Sequence, residues 1–235
     1  VSARQPFLTA LTALASASGP SDDLCGPFLL ALPIRGAALS TLGDPLGSAT
    51  VCSSDPRAAE LDEIQLDLGE GPCWDALATD SPILLSDIQT SADDRWTFAS
   101  PALRETGLEA VFAFPLRYGR LGLGAVDLYS DDPVPLSDDD VADAATLAGV
   151  AARQVLQRAL QRLDTVGQEA GAEGEDAVDG FARREIHQAT GMVSAQLDIS
   201  VQDALLVLRG HAYATSATLR EVAADVVARR LDLGD

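Results

Sequence analysis

Few side chains in this sequence are equipped for chemistry, and they are unevenly placed. Both histidines, His187 and His211, lie in the last 55 residues. Residues 1–180 have none. Neither a histidine-bearing metal centre nor a Ser-His-Asp nucleophile can therefore be built there. The three cysteines, Cys25, Cys52 and Cys73, are odd in number and widely spaced. They resemble neither a disulfide framework nor a thiolate metal site, and a reducing cytoplasm is the simple expectation. Cys52 falls on an expected strand, as a small buried hydrophobe or as part of a pocket wall. Cys73 follows a glycine-rich turn close to a helix start, where a thiolate is stabilised, so redox sensing is one reading of it. Gly69-x-Gly71 and Gly122-x-Gly124 lack the rest of a dinucleotide fingerprint and read as turn and strand glycines. No catalytic residue, metal site or cofactor is expected, and an enzyme is the least supported class.

Residues suited to recognition are more numerous. Trp74, Trp96, Phe98, Phe112, Phe114 and Tyr129, with Cys52, could line a ligand pocket in a sheet capped by helices. Side chains of these types also simply fill cores. Near the C-terminus, Arg183, Arg184, Arg209, Arg220, Arg229 and Arg230 are candidate phosphate contacts, and His187 and His211 could reach bases or phosphate. Scattered helical arginines can equally face water.

The elements that must position these residues follow from periodicity and turn chemistry. An apolar helix is expected over 5–17, and a hairpin of strands 37–42 and 48–53 around the turn at 43–47. Ala58, Leu61, Ile64 and Gln65 recur at helical spacing within 57–66. Pro72 is placed to open a helix. A strand follows at 82–85, and a helix at 95–106 carrying Trp96, Phe98 and Leu103. Two central strands, 110–116 and 121–129, are joined by a short hairpin connection. Ser137, with Asp138, Asp139 and Asp140 after it, caps a helix running to Asp164. Its arginines Arg153, Arg158 and Arg162 read as outward, and its small-residue face suits packing against a second copy, a homodimer. Residues 165–179 are acidic and glycine-rich, a linker. Three short amphipathic helices follow, at about 180–197, from Ser200 and from Thr218, the latter two opened by capping boxes. The fold class is α+β: an antiparallel sheet flanked by helices (1–164), a linker (165–179) and a three-helix unit (180–235).

Composition agrees with that division. The chain has 235 residues, 47% hydrophobic, with 16 basic and 36 acidic side chains and no lysine. This suits one domain of ordinary size plus a small one. Residues 1–180 carry 10 arginines against 29 acids, whereas 181–235 carry 6 against 7. The first part repels polyanions, so nucleic acid is better accommodated by the second. No apolar run approaches the ~20 residues that span a bilayer, and no signal-peptide pattern opens the sequence, so no membrane partner and a cytoplasmic setting are expected.

Two stretches resemble known families. Residues 183–231 are similar to the ANTAR domain, an RNA-binding antitermination module, through Ile186, Gln188-Ala189-Thr190-Gly191-Met192, Ile199, Ala204, Leu208-Arg209, Ala212, Leu219, Val222-Ala223 and Val226-Val227. Thr190 stands where family members often have lysine. Residues 37–160 resemble the GAF domain, through 51–77, Arg95-Trp96, 107–119, 123–140 and 147–156. Together they cover about three quarters of the chain. The resemblance implies a cytoplasmic, dimeric regulator. Its GAF part would sense a small-molecule or protein signal, and its helices would bind paired stem-loops in nascent RNA so that no terminator forms. The RNA surface it implies includes Arg183, Arg184, Gln188, Thr190, Gly191, Arg209, His211 and Arg220. The alternative is a signalling scaffold in which the C-terminal helices mediate dimerisation or protein docking without RNA.

Overall fold

The computed structural model describes residues 4–91, 95–168, 177–215 and 217–233, the side chains of 163–168, 177–184 and 202 excepted. The chain divides near residue 170 into two compact units. The first runs α1 (Gln5–Ser16), α2 (Gly26–Ala31), β1 (Gly36–Thr41), β2 (Ala49–Ser53), α3 (Pro56–Leu68), α4 (Pro72–Thr79), β3 (Ile83–Leu85), α5 (Ala99–Glu105), β4 (Ala110–Tyr118), β5 (Leu121–Ser130) and α6 (Asp138–Gln168). Its five strands form one sheet in the order β2-β1-β5-β4-β3, with every neighbouring pair antiparallel.

Because side chains alternate along a strand, each central strand supplies both faces. Phe112, Phe114 and Leu116 of β4, Val126 and Leu128 of β5 and Leu39 of β1 join one apolar core with α1, α2 and α6. Val111, Tyr129 and Ala38 join the opposite core, under α3 and α5. Every strand predicted from the sequence is present. The helix expected over 95–106 is shorter, beginning at Ala99 after Trp96 and Phe98. Pro101 explains the start: it has no N–H to donate and fits only a first turn.

Three expectations for this unit are corrected. Cys25 and Cys52 are joined in a disulfide, and only Cys73 is a free thiol. The start of α2 lies over the outer strand β2, a proximity that a separation of 27 residues does not announce. Arg158 of α6 turns inward and is 7% exposed, although Arg153 and Arg162 are exposed as expected. The small-residue face of α6, with Ala144, Ala148, Ala151 and Ala152, is buried in its own domain's core. It is therefore not available to a second copy.

The second unit consists of α7 (Ala177–Leu197), α8 (Val201–Thr215) and α9 (Leu219–Val227). Thus helix occupies both ends of the segment read as linker; its middle, 169–176, lies outside the described residues. Ala189 and Val193, Ala204, Leu208 and Ala212, and Leu219, Val222, Ala223 and Val226 form one core. The two capping residues act as the sequence predicts. Ser200 Oγ accepts the Asp203 N–H at 3.1 Å. Thr218 and Glu221 bond reciprocally in a full capping box.

Candidate functional site

Polar chemistry in the first unit gathers on the α3 side of the sheet. Asp55 caps α3 by accepting the N–H groups of Arg57 and Ala58. About two and three turns on, Asp62 and Gln65 face inward, and Asp127 of β5 meets them from the sheet. All three are fully buried. Thr50 of β2 donates to Asp62 at 2.5 Å. Gln65 Nε2 donates to Asp127 Oδ2 at 2.9 Å, and Gln65 Oε1 accepts the Cys73 N–H at 2.9 Å. Trp74 Nε1 donates to the Gln65 carbonyl at 2.8 Å. The turn between α3 and α4 makes room for this: Gly71 has φ +135°, and a Cβ there would stand 2.8 Å from the Gln65 side chain.

Asp62 Oδ1, Asp127 Oδ1 and Ser40 Oγ remain buried without a good hydrogen bond. Burial pushes the Asp62 pKa up to about 6, against the lowering influence of Thr50 and Ser40. Burial, then the neighbouring charge of Asp62, pushes Asp127 well above the usual carboxylate range. Ionised carboxylates only accept hydrogen bonds, so a retained proton supplies a donor that the ionised pair lacks. The Cys73 thiol is raised by burial, then by the charges of Asp127 and Asp62. The stabilised thiolate expected at this helix start is thus overturned: the nearby acids and desolvation outweigh the helix end.

Trp96 Nε1 is buried and has no partner among the described residues. The indole borders a cavity of about 20 Å³, with Ile88, Ser91, Ser100, Leu103 and Arg104 around it. That is room for one water. Tyr129 donates its hydroxyl to Asp55 at 2.9 Å.

The seven residues expected to line one pocket are therefore dispersed. Cys52, Phe112 and Phe114 belong to the apolar core on the α6 side. Trp96 and Tyr129 belong to the core on the other face. Trp74 packs with Leu42, Cys73 and Ala125, and Phe98 is 44% exposed. Strand alternation separates Phe112 and Phe114 from Tyr129. The residues missed by sequence reasoning are Asp62, Gln65 as a polar bridge, and Asp127. The available signal was a lone acid within an otherwise apolar strand, GLGAVDLYS.

In the second unit, Gln188 and Gly191 are exposed one turn apart on α7. Arg220 is exposed on α9, and Arg209 and His211 are half-buried on α8. Thr190 is 4% exposed, its hydroxyl donating to the Ile186 carbonyl at 2.6 Å, so it does not share that surface. The side chains of Arg183 and Arg184 lie outside the described residues. Among the described residues, a Cβ at Gly191 would meet nothing within 4 Å. Packing within the unit does not require this glycine.

Comparison with known proteins matches these two units. The GAF domain family profile matches residues 28–155, more than half of the chain, and the ANTAR domain profile matches 182–227. No curated protein sequence matches. Among solved structures, the GAF domain of a phosphoenolpyruvate-protein phosphotransferase from Coxiella burnetii is 17% identical at a TM-score of 0.52, covering 69% of this chain and 99% of its own. The corresponding Acinetobacter GAF domain is 13% identical at 0.52, covering 68% and 97%. The chromophore-binding domain of a bacteriophytochrome from R. palustris is 10% identical at 0.50, covering 68% and 61%. At such identities the likeness speaks for the fold alone. No helix among the described residues is long and apolar enough to cross a membrane, and no group of three or more His, Cys, Asp or Glu among them could hold a metal ion. The chain belongs to the GAF domain family and carries an ANTAR domain after it, two regulatory, non-catalytic modules that make it a signal-responsive regulatory protein.

Proposed function

We propose that this protein is a cytoplasmic RNA-binding regulator of transcription antitermination, whose ANTAR helices bind paired stem-loops in nascent RNA under control of the GAF domain. The observation that carries this reading is the ANTAR match at 182–227, which falls on the α7–α9 bundle. Gly191 supports it. A glycine inside a helix costs about 1 kcal/mol relative to alanine, and no internal contact here requires one. Close approach of an RNA backbone would account for it. RNA is read largely through unpaired loop bases and backbone contacts, which suits exposed Gln188 and Arg220 with Arg209, His211, Arg183 and Arg184 as further contacts. Two stem-loops suit a two-fold dimer. With the inner face of α6 occupied, the dimer surface moves to its outward stripe of Ala142, Ala145, Gly149 and Leu160. A small-molecule or protein signal at the GAF domain shifts the population between free and RNA-competent states.

The test is binding of the full chain to RNA bearing two adjacent stem-loops, beside a loop-scrambled control, over a salt series. Selective binding that weakens with salt is expected. Gln188→Ala and Arg220→Ala should each weaken it about 5- to 100-fold, the range of one lost contact. Gly191→Ala should stabilise the bundle by about 1 kcal/mol while lowering RNA affinity. Equal, weak binding of both RNAs would overturn the reading. It would favour a scaffold that docks proteins, for which the exposed Val201, Leu206 and Tyr213 of α8 and the near-neutral charge of this unit speak.

A further inference from the structure

The disulfide sits at a junction of three elements. Cys25 immediately precedes α2 and is 1% exposed, whereas Cys52 lies partly exposed on β2, the edge strand of the sheet. Leu39 of β1 is the cross-strand partner of Cys52. The bridge therefore closes on the apolar side of the sheet, where α6 packs.

The chain before Cys25 receives the two buried polar side chains of α6, at the end of α1 and in the loop after it. Gln154 Nε2 of α6 donates to the carbonyls of Leu14 and Ala15 at 3.1 and 2.9 Å. One turn on, Arg158 Nη2 donates to the Asp22 carbonyl at 2.7 Å. Both side chains are buried. A buried guanidinium or amide is costly unless its donors are met. Burial lowers the Arg158 pKa despite the favourable charge of Asp22. The carbonyls of 14–22 thus make it possible for α6 to carry two polar side chains inside. The Leu14 and Ala15 carbonyls close the end of α1, and the Asp22 carbonyl lies between α1 and the covalent tie of Cys25 to the sheet edge.

We propose that Cys25–Cys52 is a thiol–disulfide exchange site, opened by a dithiol reductant, and that its opening loosens the 14–25 segment from α6. One thiolate of the reductant attacks Cys52 Sγ, on the more exposed residue of the pair. A new S–S bond forms there as the Cys25–Cys52 bond breaks, and Cys25 leaves as a thiolate that takes a proton. The second thiol of the reductant then attacks this mixed disulfide. Cys52 leaves and is protonated, and the reductant departs as its own disulfide. Two electrons and two protons pass to the protein, and residues 25 and 52 are no longer closed into one loop. Cys73 takes no part, since its thiol is buried and held protonated. Arg158 then loses its fixed acceptor at Asp22, the end of α1 that receives Gln154 loses the tie beyond it, and α6 acquires a second, looser seating on its domain. This is independent of whether the ANTAR helices bind RNA.

The test uses the full chain equilibrated in buffers of stepped dithiothreitol and oxidised dithiothreitol ratio, acid-quenched, alkylated and mapped by mass spectrometry. Amide hydrogen exchange is followed on the same samples. Cys25 and Cys52 should gain label together as a two-electron couple. Exchange in peptides covering 10–25 and 147–160 should rise about tenfold or more on reduction, with β4 and β5 unchanged. A Cys25→Ser, Cys52→Ser variant should show the raised exchange without reductant and no further response. If that variant fails to fold, the wild-type titration decides alone. Three results overturn the proposal: no labelling under strong reduction, labelling with unchanged exchange over α6, or a rise in exchange throughout the sheet. The last would make the bridge a global staple.

Discussion

The two faces of the one sheet are built on opposite terms. On the α6 side, Phe112, Phe114, Leu116, Val126 and Leu128 meet α1, α2 and α6 in a continuous apolar core. The two polar side chains that enter it, Gln154 and Arg158, each give one nitrogen to backbone carbonyls and leave only Gln154 Oε1 and Arg158 Nε without a partner among the described residues. On the α3 side, two carboxylates and an amide are fully buried, with oxygen atoms left unpaired. The first arrangement gains free energy with every ångström of area removed from water. The second spends it, because a buried polar group without a partner costs about 1–3 kcal/mol. Domains carry only about 5–15 kcal/mol of net stability, so the polar side is tolerable because the apolar side is strong. The larger apolar core lies on one face, and sensitivity to protons on the other.

The largest test of that contrast is a cavity on the apolar side. Phe114→Ala should destabilise the domain by about 3–5 kcal/mol, the usual cost of a fully buried phenylalanine. Urea unfolding followed by tryptophan fluorescence measures it cleanly, since both tryptophans, Trp74 and Trp96, lie in the large domain. A loss under about 1 kcal/mol would show that this face is not where the stability lies.

The polar face should announce itself through pH. Folded Asp62 keeps its proton up to about pH 6, whereas an unfolded aspartate releases it near pH ~4. Between those values the folded state binds more protons, so stability falls as pH rises through the window and stays reduced above it. The effect is on the order of 2–3 kcal/mol, and Asp127, also raised by burial and by the charge of Asp62, adds to the fall in the same direction. Unfolding midpoints of the wild type should therefore drop on going from mildly acidic to neutral buffer. Asp62→Asn, which keeps an acceptor for Thr50 but cannot ionise, should flatten that profile. An equally steep profile in the variant would assign the dependence to other groups.

Much of this architecture was legible in the sequence because its signals are local. Strand alternation, the proline that opens α4, the capping boxes at Ser200 and Thr218 and the 3.6-residue stripes of α7–α9 each act within a few residues. The contrast between the faces was not legible. An aromatic residue reads the same whichever side of a sheet it takes, so Phe112 and Phe114 were grouped with Tyr129 although alternation parts them. Asp62 sits one residue beside the helical stripe of Leu61 and Gln65, where an acid ordinarily meets solvent; only the sheet above α3 buries it. The Cys25–Cys52 pair and the inward turn of Arg158 depend on how the loop after α1 crosses α6, a tertiary fact without a sequence period. In the small domain the helices were readable, but the burial of Thr190 depends on its bond to Ile186 and on neighbouring helices.

The smallest expected effect concerns a third aspartate on the polar face, Asp55, with the opposite sign. Burial alone would raise Asp55, but hydrogen bonds from Ser54, the Ala58 N–H, Tyr129 and the Arg57 N–H outweigh it and hold its pKa low. Its contribution to stability is therefore present above the unfolded aspartate pKa and is lost as pH falls through the folded value. Tyr129→Phe keeps the buried ring and removes one of these donors. Because Asp55 retains the others, the cost should be only about 1 kcal/mol. The acid limb of the stability profile should shift towards higher pH, while the fall assigned to Asp62 stays in place. An acid limb shifted by Tyr129→Phe alone, and a fall above it flattened by Asp62→Asn alone, would show that the α3 face balances an aspartate stabilised as an anion against one stabilised as an acid. Movement of both limbs by either substitution would mean that Asp55 and Asp62 titrate as one system through α3.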